Sequence, residues 1–110
     1  MSKIAIATTG GFAVDEHFGH AKFFRVYELT DKDYSFIEVR DAVAACQQSL
    51  GHDTTRFDKM IELLSDCDAV LVQKIGEGAA AYLISKGVRV FEVSGTIDAV
   101  LKKLISDRVI

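Results

Sequence analysis

The chain has 110 residues and no proline, with 49% hydrophobic and 26% charged residues and a formal net charge of −3. This length and composition predict one globular domain over residues 1–110, with no room for a second. Lysine and arginine form no cluster along the sequence, which argues against a nucleic-acid surface.

Membrane insertion and secretion are not expected. No apolar run approaches the roughly 20 residues that span a bilayer, and the first residues lead straight into an apolar strand without a signal-peptide pattern. We therefore expect a cytoplasmic protein without a membrane partner. Cys46 and Cys67 are far apart and form no C-x-x-C pair, which argues against a disulfide framework and a structural zinc site.

The first part of the chain predicts three strands. Residues 3–8 are almost entirely apolar, as in a strand that is buried on both faces of an open α/β sheet. Residues 23–29 and 34–40 alternate between apolar and polar side chains, and a short turn at residues 31–33 joins them. We expect these two segments to form a hairpin.

A polar, irregular segment over residues 41–52 carries Cys46 and His52, and loops of this length are often functional. A helix is predicted after it from apolar residues at helical spacing, preceded by candidate N-caps. The apolar positions are Phe57, Met60, Ile61, Leu64 and Cys67, and the candidate caps are Asp53, Thr54 and Thr55. Cys67 ends this stripe and is expected to pack in the core.

The rest of the chain alternates strands and helices. Residues 69–72 predict another doubly buried strand, which a turn at residues 76–78 connects to a helix closed by Gly87. A strand over residues 88–93 follows, and Thr96 is expected to cap the last helix. The order β-β-β-α-β-α-β-α predicts an α/β fold with a mixed five-stranded sheet, helices on its faces, and strands one, four and five parallel.

The most unusual stretch is residues 15–24, which read DEHFGHAKFF. It places Gly19 between His17 and His20, among three phenylalanines. Imidazole binds transition metals and titrates near neutral pH, and glycine lets the backbone approach a ligand closely. The alternative is a turn whose phenylalanines enter the core while the histidines stay in solvent.

The predicted topology gives this stretch neighbours. Ligands of open α/β sheets bind beyond the carboxyl ends of the parallel strands. Three features would meet there: the histidine loop, the turn at Gly76 and Gly78, and the end of the fifth strand near Ser94 and Gly95. This convergence favours a binding site.

The glycine turn has several interpretations. N–H groups at the start of a helix bind anions, glycines let the anion approach, and Lys74 would add positive charge. The glycines could instead serve only a tight connection between strand and helix. The spacing Gly76-x-Gly78-x-x-Ala81, with Glu92 on the next strand, also weakly matches a dinucleotide-binding fingerprint.

The sequence offers few other candidates for metal binding or catalysis. Cys46 stands where no core pattern requires it, so it is either a thiolate ligand for an iron-sulfur species or an incidental cysteine. The sequence contains no G-x-S-x-G, H-E-x-x-H or P-loop motif, and the first strand has no acidic residue for a two-metal site. We therefore expect that the protein is not an enzyme.

Several of these segments resemble a known family. The similarity covers nearly the whole chain and rests on residues 3–8, the H-F-G-H-A-K-x-F motif of residues 17–24, the Cys46 loop, residues 63–71 and residues 74–76. Together they resemble the NifX family, the dinitrogenase iron-molybdenum cofactor biosynthesis family, which includes the C-terminal domain of NifB.

The resemblance implies a ribonuclease H-like, three-layer α/β fold. It also implies binding of anionic metal-sulfur clusters, precursors of the nitrogenase cofactor, which members carry between assembly proteins. The resemblance makes His17, His20 and Cys46 candidate metal ligands, and Gly76 and Gly78 candidate backbone donors to the cluster. With Gly19 and Lys74 from the chemistry of the two loops, the predicted cofactor-binding residues are His17, Gly19, His20, Lys74, Gly76 and Gly78.

Three hypotheses remain open from the sequence. The first is a small carrier of the iron-molybdenum cofactor, its precursor, or a related iron-sulfur or molybdenum cluster, in nitrogen fixation or a similar assembly process. The second is a regulatory module that binds phosphate or a nucleotide at the Gly76 helix start. The third is an interaction domain without a ligand, with Phe18 and its neighbours as a docking surface.

Overall fold

The computed structural model describes residues 2–42 and 61–107, which form a small α/β domain. The predicted helix before Cys67 is described only from residue 61 onward, where residues 61–64 are helical, and its candidate caps Asp53, Thr54 and Thr55 lie outside the described residues. The other elements are β1 (Ser2–Ala7), β2 (Ala13–Val14), a 3-10 turn (Phe18–His20), β3 (Phe23–Leu29), β4 (Tyr34–Asp41), β5 (Ala69–Val72), α1 (Glu77–Ser85), β6 (Arg89–Glu92), β7 (Gly95–Thr96) and α2 (Ile97–Ser106).

The main sheet has five strands in the order β4-β3-β1-β5-β6. Strand β1 pairs in parallel with β5, and β5 pairs in parallel with β6, which confirms the three strands expected to be parallel. Strand β3 is antiparallel to both β1 and β4, which confirms the hairpin. The mixed five-stranded sheet predicted from the sequence is therefore present.

A second, two-stranded sheet is an addition to the predicted fold. Ala13 of β2 pairs with Thr96 of β7, and Val14 pairs with Gly95, in antiparallel register. Strands of two residues have no periodic pattern, so the sequence does not indicate them. Their pairing holds the loop after β1 against the segment that leads into α2.

Buried side chains cover both faces of the main sheet. On β1, Ile4 and Ile6 pack with residues of α2, whereas Ala5 and Ala7 pack on the opposite face with residues of α1 and of the helical segment 61–64. This two-sided burial explains why the sequence of β1 is almost continuously apolar. Cys67 is 4% exposed and belongs to the core, as predicted.

Two helix ends follow their predicted signals. Gly87 has a positive φ of 84° just beyond α1, and its N–H donates to the carbonyl oxygen of Ile84 at 3.0 Å, as glycine does after many helices. Thr96 caps α2, because its hydroxyl oxygen accepts a hydrogen bond from the N–H of Ala99 at 3.2 Å. Within the part of the chain that the structure describes, no helix has the length and apolar character needed to cross a membrane.

An arginine ties the edge strand β4 to the segment before β5. The guanidinium of Arg40 donates to both carboxylate oxygens of Asp66, at 2.5 and 2.9 Å, and to the carbonyl oxygen of Leu63 at 2.7 Å. The ammonium of Lys3 pairs with the same carboxylate at 3.2 Å. These contacts hold the pKa of Asp66 well below its usual range, chiefly through the hydrogen bonds from Arg40.

We expect Arg40→Met to lower the free energy of unfolding by about 1–2 kcal/mol, because it removes charge-assisted hydrogen bonds while keeping a long apolar side chain. A carboxyl group with a lowered pKa in the folded state stabilises the fold above its unfolded pKa near 3.8 and loses that contribution as the pH falls below it. The difference between wild type and variant should therefore shrink in acid. Urea unfolding at a series of pH values measures it.

The matched control is Lys102→Met, which removes an exposed ion pair with Asp98 in α2. Exposed ion pairs contribute little to stability, so this variant should unfold close to wild type. Equal effects of the two substitutions, or an Arg40→Met effect that is independent of pH, would contradict the assignment.

Candidate functional site

The histidine motif folds around one buried aromatic ring. Phe18 is 2% exposed and packs against Phe24, with 6.0 Å between ring centroids. His17 and His20 are exposed. Side chains three residues apart eclipse one another in a 3-10 turn, whose rise over three residues is about 6 Å. The two imidazoles accordingly stack with their centroids 5.7 Å apart and their planes 14° from parallel.

The structure confirms the turn interpretation for the phenylalanines and the solvent exposure of the histidines, whereas metal binding by the histidines stays a prediction. Phe18 and Phe24 enter the core, and Phe23 is half-buried. The histidines remain in contact with solvent, but they form an ordered pair on one side of the turn. The spacing of three residues between His17 and His20 is the sequence signal for that pairing.

Backbone hydrogen bonds attach the histidine loop to the end of β5. The N–H of Phe18 donates to the carbonyl oxygen of Lys74 at 2.9 Å, and the N–H of Gln73 donates to the carbonyl oxygen of Glu16 at 3.0 Å. Between them, His17 and Lys74 form a single parallel bridge. The loop after β1 thus continues beside the segment that leads from β5 into α1.

An open hollow of about 270 Å³ lies between these two segments. Five of the six predicted cofactor-binding residues line it, three from the histidine loop and two from the turn that leads into α1. The lining residues are His17, Gly19, His20, Lys74, Ile75 and Gly76. The histidine loop and the glycine turn therefore meet, as the sequence predicts.

Three residues that the sequence predicts at this site do not line the hollow. Gly78 lies inside the first turn of α1, which begins at Glu77 after Gly76 as its N-cap. Ser94 lines a different hollow against α2, and Gly95 pairs with Val14 in the small sheet. The end of β6 therefore does not join the histidines through Ser94 or Gly95.

The acidic residues before the histidines hold the loop together. The carboxylate of Asp15 accepts hydrogen bonds from the N–H and the hydroxyl of Thr9, at 2.9 and 2.7 Å. These bonds lower the pKa of Asp15. The carboxylate of Glu16 accepts from the N–H of His17 at 2.8 Å. Both acids thus serve the conformation of the loop.

The structure brings one further acid to the glycine turn. The carboxylate of Glu92, at the end of β6, accepts a hydrogen bond from the N–H of Ile75 at 3.0 Å. The sequence places Glu92 near a ribose in the dinucleotide interpretation, but here the carboxylate binds the turn of the protein itself. Lys74 is exposed at the same hollow. The rim of the hollow thus carries one ammonium and two imidazoles, with a carboxylate behind its turn.

A metal site built from several side chains is not formed by the described residues alone. Across residues 2–42 and 61–107, no three His, Cys, Asp or Glu side chains are grouped to hold a metal ion. The predicted ligand Cys46 and the neighbouring His52 lie outside the described residues. Within the described part, His17 and His20 are the candidate ligands that come together.

Comparison with known proteins identifies the family. The model of the family described as "Dinitrogenase iron-molybdenum cofactor" matches residues 1–107. The chain belongs to this family. The resemblance inferred from the histidine motif and the strand sequences is thereby confirmed.

The curated relatives that this chain matches are much longer proteins. The chain is 35% identical over 111 aligned residues to the FeMo cofactor biosynthesis protein NifB of Frankia alni, which covers 96% of this chain and 22% of that protein. It is 38% identical over 85 residues to NifB of Bradyrhizobium diazoefficiens, and this alignment covers 77% of this chain and 17% of that protein. The chain thus spans about a fifth of the length of these curated relatives.

Solved structures share the fold. The crystal structure of PH0822 superposes with a TM-score of 0.74 at 24% identity and covers 96% of this chain and 90% of that chain. A crystal structure of a protein from Methanocaldococcus jannaschii superposes with a TM-score of 0.62 at 15% identity. The superposition covers 96% of this chain and 89% of that chain. At these identities the likeness extends to the fold alone.

The buried cysteine should be chemically inert. Burial raises the pKa of Cys67 to about 11 from an ordinary value of 9.0, which leaves about a hundredfold less thiolate near neutral pH. We expect iodoacetamide at pH about 8 to alkylate Cys67 at least about a hundredfold more slowly in the folded protein than in urea. Peptide mass spectrometry over a time course measures this rate, and rapid labelling of Cys67 in the folded chain would contradict its place in the core.

Proposed function

We propose that this domain is a non-enzymatic carrier of an anionic metal-sulfur cluster in cofactor assembly. The cargo is the iron-molybdenum cofactor, one of its precursors, or a related iron-sulfur or molybdenum cluster, and it binds in the hollow lined by the histidine pair and the Lys74 turn. One observation carries the proposal: His17 and His20 stack 5.7 Å apart on the rim of a hollow that they share with Lys74 and Gly76. Membership of the dinitrogenase iron-molybdenum cofactor family supports it.

The chemistry of the rim suits such a cargo. Imidazole nitrogen is a ligand for iron and other transition metals, and both rings are exposed, so a cluster can approach them from solvent. A cluster held by few protein ligands at an open rim can also leave again. Cys46 is the candidate third ligand, and its thiolate is suited to iron-sulfur species.

The charge at the hollow supports an anionic cargo. The ammonium of Lys74 lines it, and Gly76 precedes the first turn of the nine-residue helix α1. N–H groups at the start of a helix carry partial positive charge and favour anions. Both groups stand on the same segment, which backbone hydrogen bonds hold beside His17.

The alternative of a phosphate- or nucleotide-binding module has less support. Its fingerprint requires Glu92 to contact a ribose and Gly78 to approach a pyrophosphate. The carboxylate of Glu92 is instead hydrogen-bonded to the N–H of Ile75, and Gly78 does not line the hollow. Calorimetric titration with ATP and with inorganic phosphate tests this module directly, and we expect no binding heat up to about millimolar ligand.

Several finer expectations belong to the proposal. They are the ribonuclease H-like assignment of the fold, a cytoplasmic location, and transfer of the cargo to and from other assembly proteins. The activity of the full-length NifB relatives is not part of the proposal, because this chain spans about a fifth of their length.

We predict that His17→Ala together with His20→Ala lowers cluster loading at least about tenfold, because two candidate metal ligands are lost. The protein is incubated anaerobically with iron and sulfide, or with tetrathiomolybdate, and desalted. Visible absorption and metal analysis then give the amount bound. Adding Cys46→Ala to the double variant tests the third candidate ligand.

The control for the histidine variants is Gln73→Ala, which changes an exposed side chain beside the hollow. Its backbone N–H still donates to the carbonyl oxygen of Glu16, so the loop keeps its attachment. Circular dichroism verifies that each variant is folded. Equal metal uptake by wild type and by the triple variant would show that the assigned site is wrong.

We predict that Lys74→Gln weakens binding of tetrathiomolybdate about threefold to tenfold, because an exposed ammonium at the hollow is removed. The effect should decrease with added salt, since salt screens exposed charges. The matched control is Lys32→Gln, which removes the same charge from the exposed turn between β3 and β4. A Lys32→Gln loss as large as that of Lys74→Gln would indicate a general charge effect and contradict a specific role of Lys74.

A further inference from the structure

Glu92 occupies an unusual place for an acid near an anion-binding hollow. It is the last residue of β6 and pairs with Val72, the last residue of β5. From there its carboxylate reaches across to the turn after β5 and accepts the N–H of Ile75 at 3.0 Å. Ile75 lines the hollow, and Gly76 beside it caps α1 without a side-chain hydrogen bond.

This hydrogen bond has two separable physical effects. It fixes the turn that presents Lys74 and Gly76 to the hollow, because Ile75 lies between them. It also places a negative charge at the backbone N–H of Ile75, one residue before the N-cap of α1, and this charge opposes the attraction that the helix start exerts on an anion. A neutral amide oxygen could supply the first effect without the second.

We propose that Glu92 is a positioning residue that also acts as a built-in counter-charge and limits the affinity of the hollow for anionic clusters. This inference rests on the proposed function. A carrier has to release its cargo, and a carboxylate next to the binding hollow lowers the affinity without removing any ligand. The same carboxylate keeps the Lys74 turn in its binding geometry.

Two substitutions separate the two effects. Glu92→Gln keeps a carbonyl oxygen that can accept the N–H of Ile75 and removes the charge. Glu92→Ala removes both the acceptor and the charge. We expect Glu92→Gln to bind tetrathiomolybdate, a dianion, about threefold to tenfold more tightly than wild type in low salt. Glu92→Ala should bind more weakly than Glu92→Gln because its turn is no longer held.

Salt dependence distinguishes the charge from a purely structural role. The ratio of the Glu92→Gln affinity to the wild-type affinity should fall towards one between about 20 mM and about 1 M sodium chloride, since the Debye length shrinks to about 3 Å. A structural change in the turn would not follow ionic strength. Amide hydrogen exchange of Ile75, followed by NMR, reports the turn itself, and it should be accelerated in Glu92→Ala and nearly unchanged in Glu92→Gln.

The matched control is Glu28→Gln, which removes one negative charge from the part of β3 that pairs with Lys3 near the start of β1. The histidine loop follows the opposite end of β1, so this variant should bind as wild type does. A Glu28→Gln affinity raised as much as that of Glu92→Gln would overturn the inference, because the effect would then belong to net charge.

The remaining outcomes are equally decisive. If wild type binds tetrathiomolybdate through His17 and His20 but Glu92→Gln binds it no more tightly, the proposed role of the Glu92 charge is wrong and the proposed function stands. If Glu92→Ala binds as tightly as Glu92→Gln, with unchanged exchange at Ile75, the positioning role is wrong. If wild type takes up neither tetrathiomolybdate nor an iron-sulfur cluster, the proposed function fails and this inference fails with it.

Discussion

The candidate site depends on a short parallel contact between residues 16–18 and residues 73–74. Strands β1 and β5 are parallel neighbours, so the segments that leave their carboxyl ends start side by side. Two backbone hydrogen bonds, of 2.9 and 3.0 Å, extend this pairing past the sheet and join the loop at Phe18 to Lys74 and the loop at Glu16 to Gln73. Without them the histidines and the start of α1 would be separate surface features, whereas with them the two line one hollow.

A buried ring gives the exposed histidines their geometry. Phe18 is fixed in the core against Phe24, and the 3-10 turn that starts at Phe18 cannot rotate without withdrawing that ring. Because a 3-10 turn eclipses positions three residues apart, His17 and His20 are directed to the same side. Packing of the core therefore compensates the entropy cost of ordering the backbone that carries the imidazoles. A pair of solvent-exposed histidines is thereby preorganised for a ligand.

The sequence predicts the parts of this protein that depend on local patterns. The doubly buried strands β1 and β5, the β3–β4 hairpin, the Thr96 cap and the Gly87 helix end all follow from periodicity or from a single residue's preference. Convergence of the histidines with Lys74 and Gly76 followed from parallel topology. What the sequence does not indicate are side chains that pair across the fold, such as Arg40 with Asp66 and Glu92 with the N–H of Ile75. Their separation along the chain leaves no local signal, and the two-residue strands leave no periodicity.

Under the proposed function, charges that attract an anionic cluster and charges that repel it act together at the hollow. The whole chain carries a formal net charge of −3, so an anionic cluster is repelled at long range and must be attracted locally by Lys74, the imidazoles and the start of α1. Glu92 opposes that local attraction from behind the turn that it holds. A storage protein would gain from removing such a charge, because tighter binding is its purpose. A carrier has to release its cargo to the next protein, and weaker binding mostly means faster dissociation. Under the proposed function, the carboxylate of Glu92 would therefore favour release of the cargo.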